Sequence, residues 1–326
     1  MREKRRPIIS IIMTVYDRKE YYKYALESIQ TQSASKELYE VILVSNIPLD
    51  LNEYLEMDIR LVRSDDPRLS AKILSGIKIA QGTIITFLED DDCYFPDRIM
   101  KLIQFYKLDE FDFFHNGFTT FKNGNKSIET PVKSGNFILF DRGVEKKHLF
   151  NENKMETKFL KLGADFNISS MAIKKEFLEP FMFDLSKLSV TGIDTLLFVL
   201  SMKFGNKILV TNCFLTKVRL HNYNSSTKFL ERGNEALIET QELVEGIKVF
   251  LSDSSYTAIH LHLDFLYLDS FIKYGNYNRI KAIKMLSHLL PKSLHFKYIR
   301  VDILMKFFTY LISRRLMVHF LYVYRN

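Results

Sequence analysis

Cysteine is scarce in this chain: 326 residues carry two, Cys93 and Cys213. Two thiols cannot build a disulfide framework or a four-cysteine zinc site, and a reducing compartment is the simplest reading. Proline and glycine are also thin, at 7 and 12 residues, beside 47% hydrophobic and 26% charged positions. That balance excludes collagen-like and wholly disordered chains and fits a folded protein with ample core. No uncharged apolar stretch of about 18 residues occurs, so no membrane-spanning helix is expected. The most hydrophobic segment, 303–324, is broken by Lys306, Arg314, Arg315 and His319. No secretory signal is expected either, because Asp17, Arg18, Lys19 and Glu20 interrupt the run after the basic start. Glycine-rich phosphate loops of the dinucleotide or P-loop type are missing.

Charge is present but uneven. The net charge is +7, yet residues 270–326 carry 11 Lys and Arg against one acid, Asp302, and the rest of the chain sums to −3. A basic excess confined to one terminal segment argues against a nucleic-acid partner.

The first 110 residues alternate strand and helix. Apolar runs at 7–15, 40–45, Ile59–Arg63 and 83–88 read as buried strands. Residues 19–32 and 70–80 show helical spacing, and Gly82 is placed to stop the second helix. Such alternation predicts parallel pairing and an α/β fold. Further on, 112–121 and 127–130 suggest a hairpin about Asn123-Gly124. Strands are expected at 168–174 and 207–210, and a helix at 194–204. From about Thr227 the pattern is helical, with Pro291 expected at a helix boundary.

Four consecutive acids, Glu89-Asp90-Asp91-Asp92, follow the strand at 83–88. Adjacent carboxylates repel unless water or a cation screens them. Ligands bind at the carboxyl ends of parallel strands, and hard divalent cations take carboxylate and phosphate oxygens. The run therefore reads as a metal–phosphate site, or else as an acidic loop opening the helix after Pro96-Asp97-Arg98.

Residues 7–46 and 68–98 together resemble the nucleotide-binding half of family 2 glycosyltransferases with the GT-A fold. Ser10-Ile11-Ile12-Met13-Thr14-Val15-Tyr16-Asp17 is similar to the family's opening strand and loop, and Ser28-Ile29-Gln30-Thr31-Gln32 to its Ser-x-x-x-Gln helix end. Leu69-Ser70-Ala71 with Gly76-Ile77, Ala80 and Gly82 resembles the helix before the metal strand. Phe87-Leu88-Glu89-Asp90-Asp91-Asp92, with Pro96 following, resembles the DxD-type motif. The likeness extends more loosely to about residue 225. It implies a mostly parallel open sheet flanked by helices, a catalytic domain over 1–226 and a helical, basic region over 227–326.

The resemblance also implies roles. Thr14, Val15 and Tyr16 would contact the nucleotide base, and Asp90 and Glu89 the donor ribose. Asp91 would bind Mn²⁺ or Mg²⁺ directly, with Asp92 beside it. The family's acid after the second strand is replaced here by Ser45-Asn46, so Asn46 would meet the base edge. Its usual Arg-Asn pair is Ile73-Leu74, which leaves Lys72 or Arg68 to supply positive charge. Asp194, in Thr191-Gly192-Ile193-Asp194, falls at the family's general base, although an aspartate there also suits a helix N-cap. Arg219 and His221 match its Arg-x-His segment, an arginine for the diphosphate and a histidine for the metal. His115, His260, His262, Cys93 and Cys213 are read as structural.

The implied function is metal-dependent, inverting sugar transfer from a nucleotide-sugar donor to a glycan or lipid-linked acceptor, in the cytoplasm. The alternatives are a degenerate binding or scaffold protein of the same fold, and a nucleotidyltransferase. The lack of a glycine-rich, basic N-terminal loop counts against the second. Segment 270–326 is read either as a peripheral anchor on an anionic membrane surface or as a helical subdomain packed on the core or in a homodimer.

Overall fold

The computed structural model describes residues 6–16, 21–66, 68–122, 137–142, 152–182, 185, 192–221, 233–251, 257–274 and 278–312. The chain forms two compact units, Met1–Phe150 with Ala164–His221, and Asn151–Gly163 with Asn222–Asn326. The first carries a nine-stranded sheet. Its strands are β1 (Ile9–Val15), β2 (Tyr39–Ser45), β3 (Ile59–Arg63), β4 (Ile84–Glu89), β5 (Cys93–Tyr94), β6 (Phe113–Lys122), β7 (Phe137–Asp141), β8 (Met171–Lys174) and β9 (Lys207–Leu220). The described helices of four or more α-helical residues are α1 (Tyr22–Gln30), α2 (Leu69–Ile79), α3 (Arg98–Leu108), α4 (Glu152–Lys161), α5 (Lys175–Leu178), α6 (Ile193–Phe204), α7 (Asn234–Phe250), α8 (Ala258–Tyr274), α9 (Arg279–Phe296) and α10 (Val301–Ile312).

The sheet runs β3-β2-β1-β4-β8-β6-β9-β5, with β7 also on β9. Every residue of β1 and β2 is buried, as their unbroken apolar runs require. The first four strands in this order are parallel. Beyond β4 the sheet is mixed, since β8 is antiparallel to both β4 and β6, and β5 and β7 are antiparallel to β9. Strand β5 follows β4 directly through the acidic turn, with no crossover helix between them. Because β2 and β4 flank β1 while β3 lies outside β2, the chain order reverses at β1–β4, which is where such sheets open a binding crevice.

Several local expectations change. Helix α2 ends at Ile79 with Ala80 as its cap, so Gly82 does not close it. Gly82 instead lies against β1, where a Cβ would come within 2.5 Å of the Ser10 nitrogen and 2.6 Å of the Ile9 carbonyl carbon. Its own N–H donates to Ser10 Oγ at 2.8 Å. Gly82→Ala is therefore expected to destabilise the protein by about 1–3 kcal/mol, as a shifted denaturant midpoint at unchanged slope. The strand expected at 207–210 continues to Leu220, because it pairs in parallel along the whole of β6, from Phe113 with Ile208 to Lys122 with Leu220. Residues 168–170 form a single 3₁₀ turn before β8. The Asn123-Gly124 turn and the strand at 127–130 lie outside the described residues.

The second unit comprises α4 and α7–α10. Glu156 on α4 accepts a hydrogen bond from Ile259 N in the first turn of α8, at 3.2 Å. Lys306 on α10 donates to Asp269 on α8 at 3.0 Å. Pro291 sits inside α9 and not at its boundary. It is exposed, as is Ser287 one turn earlier, so the carbonyl left without a donor faces solvent. Among the described residues no helix is long and apolar enough to cross a membrane.

Candidate active site

Parallel register sets the site. Thr14 pairs with Glu89 across β1 and β4, and Val15 with Ser45 across β1 and β2. Three strand ends thus bring the loop after β1, the Ser45-Asn46 step and the acids to one edge of the sheet.

Glu89 ends β4 and the other three acids follow in a tight turn, in which Asp92 N donates to Glu89 O at 3.2 Å. Asp90, Asp91 and Asp92 are buried and Glu89 is half-buried. Asp90 turns toward β1, where its Oδ2 accepts from Tyr16 N at 2.9 Å. Glu89, Asp91 and Asp92 turn together, each offering a carboxylate oxygen within 4.8 Å of the others. Arg219 at the end of β9 pins this turn. Its main-chain N donates to Asp92 Oδ1 at 3.1 Å, and its Nε to the Asp91 main-chain oxygen at 3.0 Å. The guanidinium lies 4.4–5.0 Å from the ring centres of Tyr21, Tyr24 and Phe121. His221 Nε2 is 2.9 Å from Asp91 Oδ2.

This donor set fits a hard divalent cation. Asp92 Oδ2 is buried with no hydrogen-bond partner, a costly state for a carboxylate unless a positive charge meets it. Burial and the neighbouring Asp91 carboxylate hold Asp92 well above the usual carboxylate range, with the Ser169 hydroxyl and Arg219 N opposing. A small cluster of carboxylate oxygens with one imidazole beside it is the ligand chemistry that Mn²⁺ or Mg²⁺ accepts.

Lys72 is buried on α2 and donates to Ser64 O at 2.9 Å. Its Nζ lies 5.0 Å from the centre of the Tyr16 ring. Burial lowers its pKa, and Asp65, Asp66 and Asp90 oppose that shift. Arg68, the other cation considered for this place, is bound to Asp66 through Nε at 2.9 Å and Nη2 at 2.6 Å. Asn46 Oδ1 is buried and has no partner. Ser45 Oγ closes a local turn with Ile47, accepting from its N–H at 3.1 Å and donating to its carbonyl at 2.9 Å.

Asp194 lies in the first turn of α6, and Gly192 is the N-cap. The capping reading of Asp194 is thereby corrected: a cap at Asp194 would start the helix at Thr195, two residues later than its observed start at Ile193. Its Oδ1 accepts from Thr195 N at 2.9 Å and its Oδ2 from Asn167 N at 3.2 Å. Burial raises its pKa to about 6, helped by Asp165 and opposed by those two N–H groups. A helix N-terminus would have lowered it; here desolvation wins.

Two residues of this site were not singled out from sequence. Asn167, at φ 66°, joins Asp194 to the turn before β8, and its Oδ1 accepts from Ser169 N at 3.0 Å. Ser169 Oγ in turn accepts from Glu89 N at 3.1 Å. One hydrogen-bonded path thus runs from Asp194 to the acidic turn. Fully buried Arg98 fastens the same segment, donating from Nη2 to Ser169 O at 3.2 Å and to Met171 O at 3.3 Å. The Ser-x-x-x-Gln pattern acts beside it. Ser28 Oγ accepts from Tyr94 N at 3.0 Å, and Gln32 bridges Phe95 O and Ile99 N at 2.8 and 2.9 Å. Burial pushes the Cys93 thiol up to about 11, which removes it as a nucleophile near neutral pH. His115 Nε2 is 2.9 Å from Phe166 O, and burial holds its pKa down at about 4.

The family model for glycosyl transferase family 2 matches residues 10–179, an interval that contains the strand ends, the acidic turn and Ser169. The chain belongs to glycosyl transferase family 2. It is 23% identical over 239 residues to glycosyltransferase GlyA of Streptococcus pneumoniae, covering 71% of this chain and 33% of that protein. Similarity to the putative glycosyltransferase EpsH of Bacillus subtilis is 29% over 105 residues, 30% of each chain. The chain thus spans about a third of the length of these relatives. In fold it is similar to Staphylococcus aureus TarS 1–349 in complex with UDP-GlcNAc, with a TM-score of 0.56, 13% identity, and coverage of 83% and 74% of the two chains. The mannosyltransferase PcManGT of Pyrobaculum calidifontis, in complex with GDP-Man and Mn²⁺, gives a TM-score of 0.54 at 12% identity, with 96% and 83% covered. These neighbours establish the GT-A-type α/β fold with its C-terminal helices. Family membership also sets aside the nucleotidyltransferase reading.

Proposed function

We propose that this family 2 member is a metal-dependent inverting glycosyltransferase that uses a nucleotide-sugar donor. The observation that carries the proposal is the carboxylate trio at the carboxyl end of β4, half-buried Glu89 with buried Asp91 and Asp92, in which Asp92 Oδ2 lacks a partner. The TarS and PcManGT complexes, with UDP-GlcNAc and with GDP-Man and Mn²⁺, support the same reading. Asp91, Asp92 and His221, with Glu89 beside them, would hold Mn²⁺ or Mg²⁺, which when bound neutralises charge on the diphosphate leaving group. Thr14, Val15, Tyr16 and Asn46 form the base and ribose side, and Asp90 fixes the loop through Tyr16 N. Lys72 brings positive charge beside that loop. Arg219 holds the acidic turn in shape through its N and Nε, and its guanidinium is the diphosphate clamp of this scheme.

Asp194 is the base of this scheme. Its carboxylate takes the proton of the acceptor hydroxyl as that oxygen bonds to the anomeric carbon. The carbon's bond to the diphosphate oxygen breaks on the opposite face, and the nucleoside diphosphate departs with the bonding pair. Lipid-linked glycan is the acceptor class that suits a catalytic domain continued by the basic segment 270–326, held at the cytoplasmic face of an anionic membrane. The domain division at about residue 226 belongs to the same proposal. Sugar-nucleotide turnover measured with and without Mn²⁺ tests the core of it: turnover that requires the metal supports the reading, and no turnover across a panel of donors favours the degenerate alternative.

A pH dependence follows from Asp194. A base with a pKa of about 6 is protonated, and useless, below that value. The rate under kcat/KM conditions should rise about tenfold per pH unit on the acid side and level off above about 6. A flat profile between pH 5 and pH 8 would remove Asp194 from the role.

A further inference from the structure

Helix α9 has three faces, not two. At about 100° per residue, Ala282, Leu286, Leu289 and Ser293 share one face and are buried. Ile280, Ile283, Leu290 and Leu294 share a second face and are exposed, Ile280 to 70% and Leu294 to 69%. Lys281, Lys284, His288 and Lys292 share the third. Helix α10 repeats the apolar part of this pattern: Ile303, Phe307 and Tyr310 are buried, whereas Val301, Met305 and Phe308 fall together on an exposed side. Its charges lie elsewhere and are matched, Lys306 with Asp269 and Asp302 with Arg300 at 2.9 Å.

Consecutive exposed apolar faces of this kind need a partner, and the charge around them selects it. Residues 278–312, which contain both helices, carry seven Lys and Arg against one acid, Asp302. A second copy of the chain would bring the same basic flank against its own like. An anionic lipid surface offers headgroups to the lysines and a hydrocarbon boundary to the apolar flank beside them. We infer that the exposed faces of α9 and α10 dock on an anionic bilayer, with Ile280, Leu294, Met305 and Phe308 among the inserted side chains and Lys281 and Lys284 at the headgroups. The inference gives a face to the membrane placement proposed above, but the attachment itself requires no sugar donor.

The test is flotation of the full-length protein with vesicles. The intact chain should float with mixed phosphatidylcholine–phosphatidylglycerol vesicles, sink with phosphatidylcholine alone, and lose the anionic vesicles at high salt. Met305→Asp combined with Phe308→Asp should weaken partitioning by at least about tenfold. Lys281→Gln combined with Lys284→Gln should weaken it roughly fivefold for each charge removed. These side chains are exposed, so both variants should keep the thermal midpoint of the parent, and calorimetric affinity for a nucleoside diphosphate should be unchanged. That last measurement separates the two proposals: failure of flotation with nucleotide binding intact removes only the membrane face, and flotation without nucleotide binding removes only the donor site. The inference is overturned if the intact chain floats with neither vesicle or equally with both, or if the aspartate variant floats as the parent does. A dimer in light scattering that the aspartate variant splits, with no flotation of the parent, would assign the face to a second copy and overturn it as well.

Discussion

Asp194→Asn is expected to lower turnover by about 10²–10⁴-fold while donor affinity stays near that of the parent, because an amide of the same shape cannot take the acceptor proton. The variant should remain folded. One of the two N–H groups of Thr195 and Asn167 would meet an amide nitrogen in place of an oxygen, a loss of about 1 kcal/mol. Against that, the substitution removes an ionisation that burial disfavours. The pKa of Asp194 is raised from 3.8 to about 6 on folding, so the folded state binds its proton more tightly than the unfolded chain does. Its contribution to stability is therefore greatest below about 3.8 and is lost as pH rises through about 6. Asparagine abolishes that dependence, and melting curves at pH 5 and pH 8 should differ less in the variant than in the parent. Loss of donor affinity in parallel with turnover would make Asp194 a donor-site or structural residue instead.

Asp91→Ala should reduce transfer and donor hydrolysis by about a thousandfold or more, with little change in stability. The fold tolerates the change for a specific reason. Arg219 Nε bonds to the main-chain oxygen of Asp91, which alanine retains, and Arg219 N bonds to Asp92. What disappears is the carboxylate facing His221 and one negative charge from a crowded carboxylate trio. Chelation should make the parent protein behave like the variant, and Mn²⁺ added back should restore the parent alone. Turnover of the variant equal to that of the parent would end the assignment of Asp91 as ligand.

How much of this was legible in the sequence varies with the kind of signal. Buried parallel strands are continuous apolar runs, so β1, β2 and β4 stand out in the chain, and with them the strand end where the acids emerge. The helix spacing of Tyr22, Ala25, Leu26 and Ile29 is equally plain, and all four are buried on α1. Resemblance to the family located most of the remaining candidate residues. In the mixed half of the sheet, β6, β8 and the start of β9 fall within expected strands, but β5 and β7 do not, and the direction of each strand is set by tertiary pairing that no periodicity records. Gly82 was misread for a related reason: a glycine just beyond a helix suggests a cap, but the close approach of β1 is a contact 72 residues away in sequence. Asn167 and Ser169 left no trace of their own. Their importance lies in backbone geometry, a non-glycine residue at φ 66° whose N–H meets Asp194, and a buried hydroxyl beneath Glu89. The functions of Arg98 and Gln32 as buried fasteners were likewise hidden, since a polar side chain in sequence does not announce which distant carbonyl it will find.

The most direct test of the central claim is calorimetric titration of the intact protein with UDP, GDP and CDP, each in the presence and absence of Mn²⁺. The acidic turn, with its unpartnered Asp92 oxygen, predicts that at least one nucleoside diphosphate binds at least about tenfold more tightly with the metal, and that Asp91→Ala abolishes the difference. Binding that is indifferent to Mn²⁺, or an enhancement that survives in Asp91→Ala, would contradict the account.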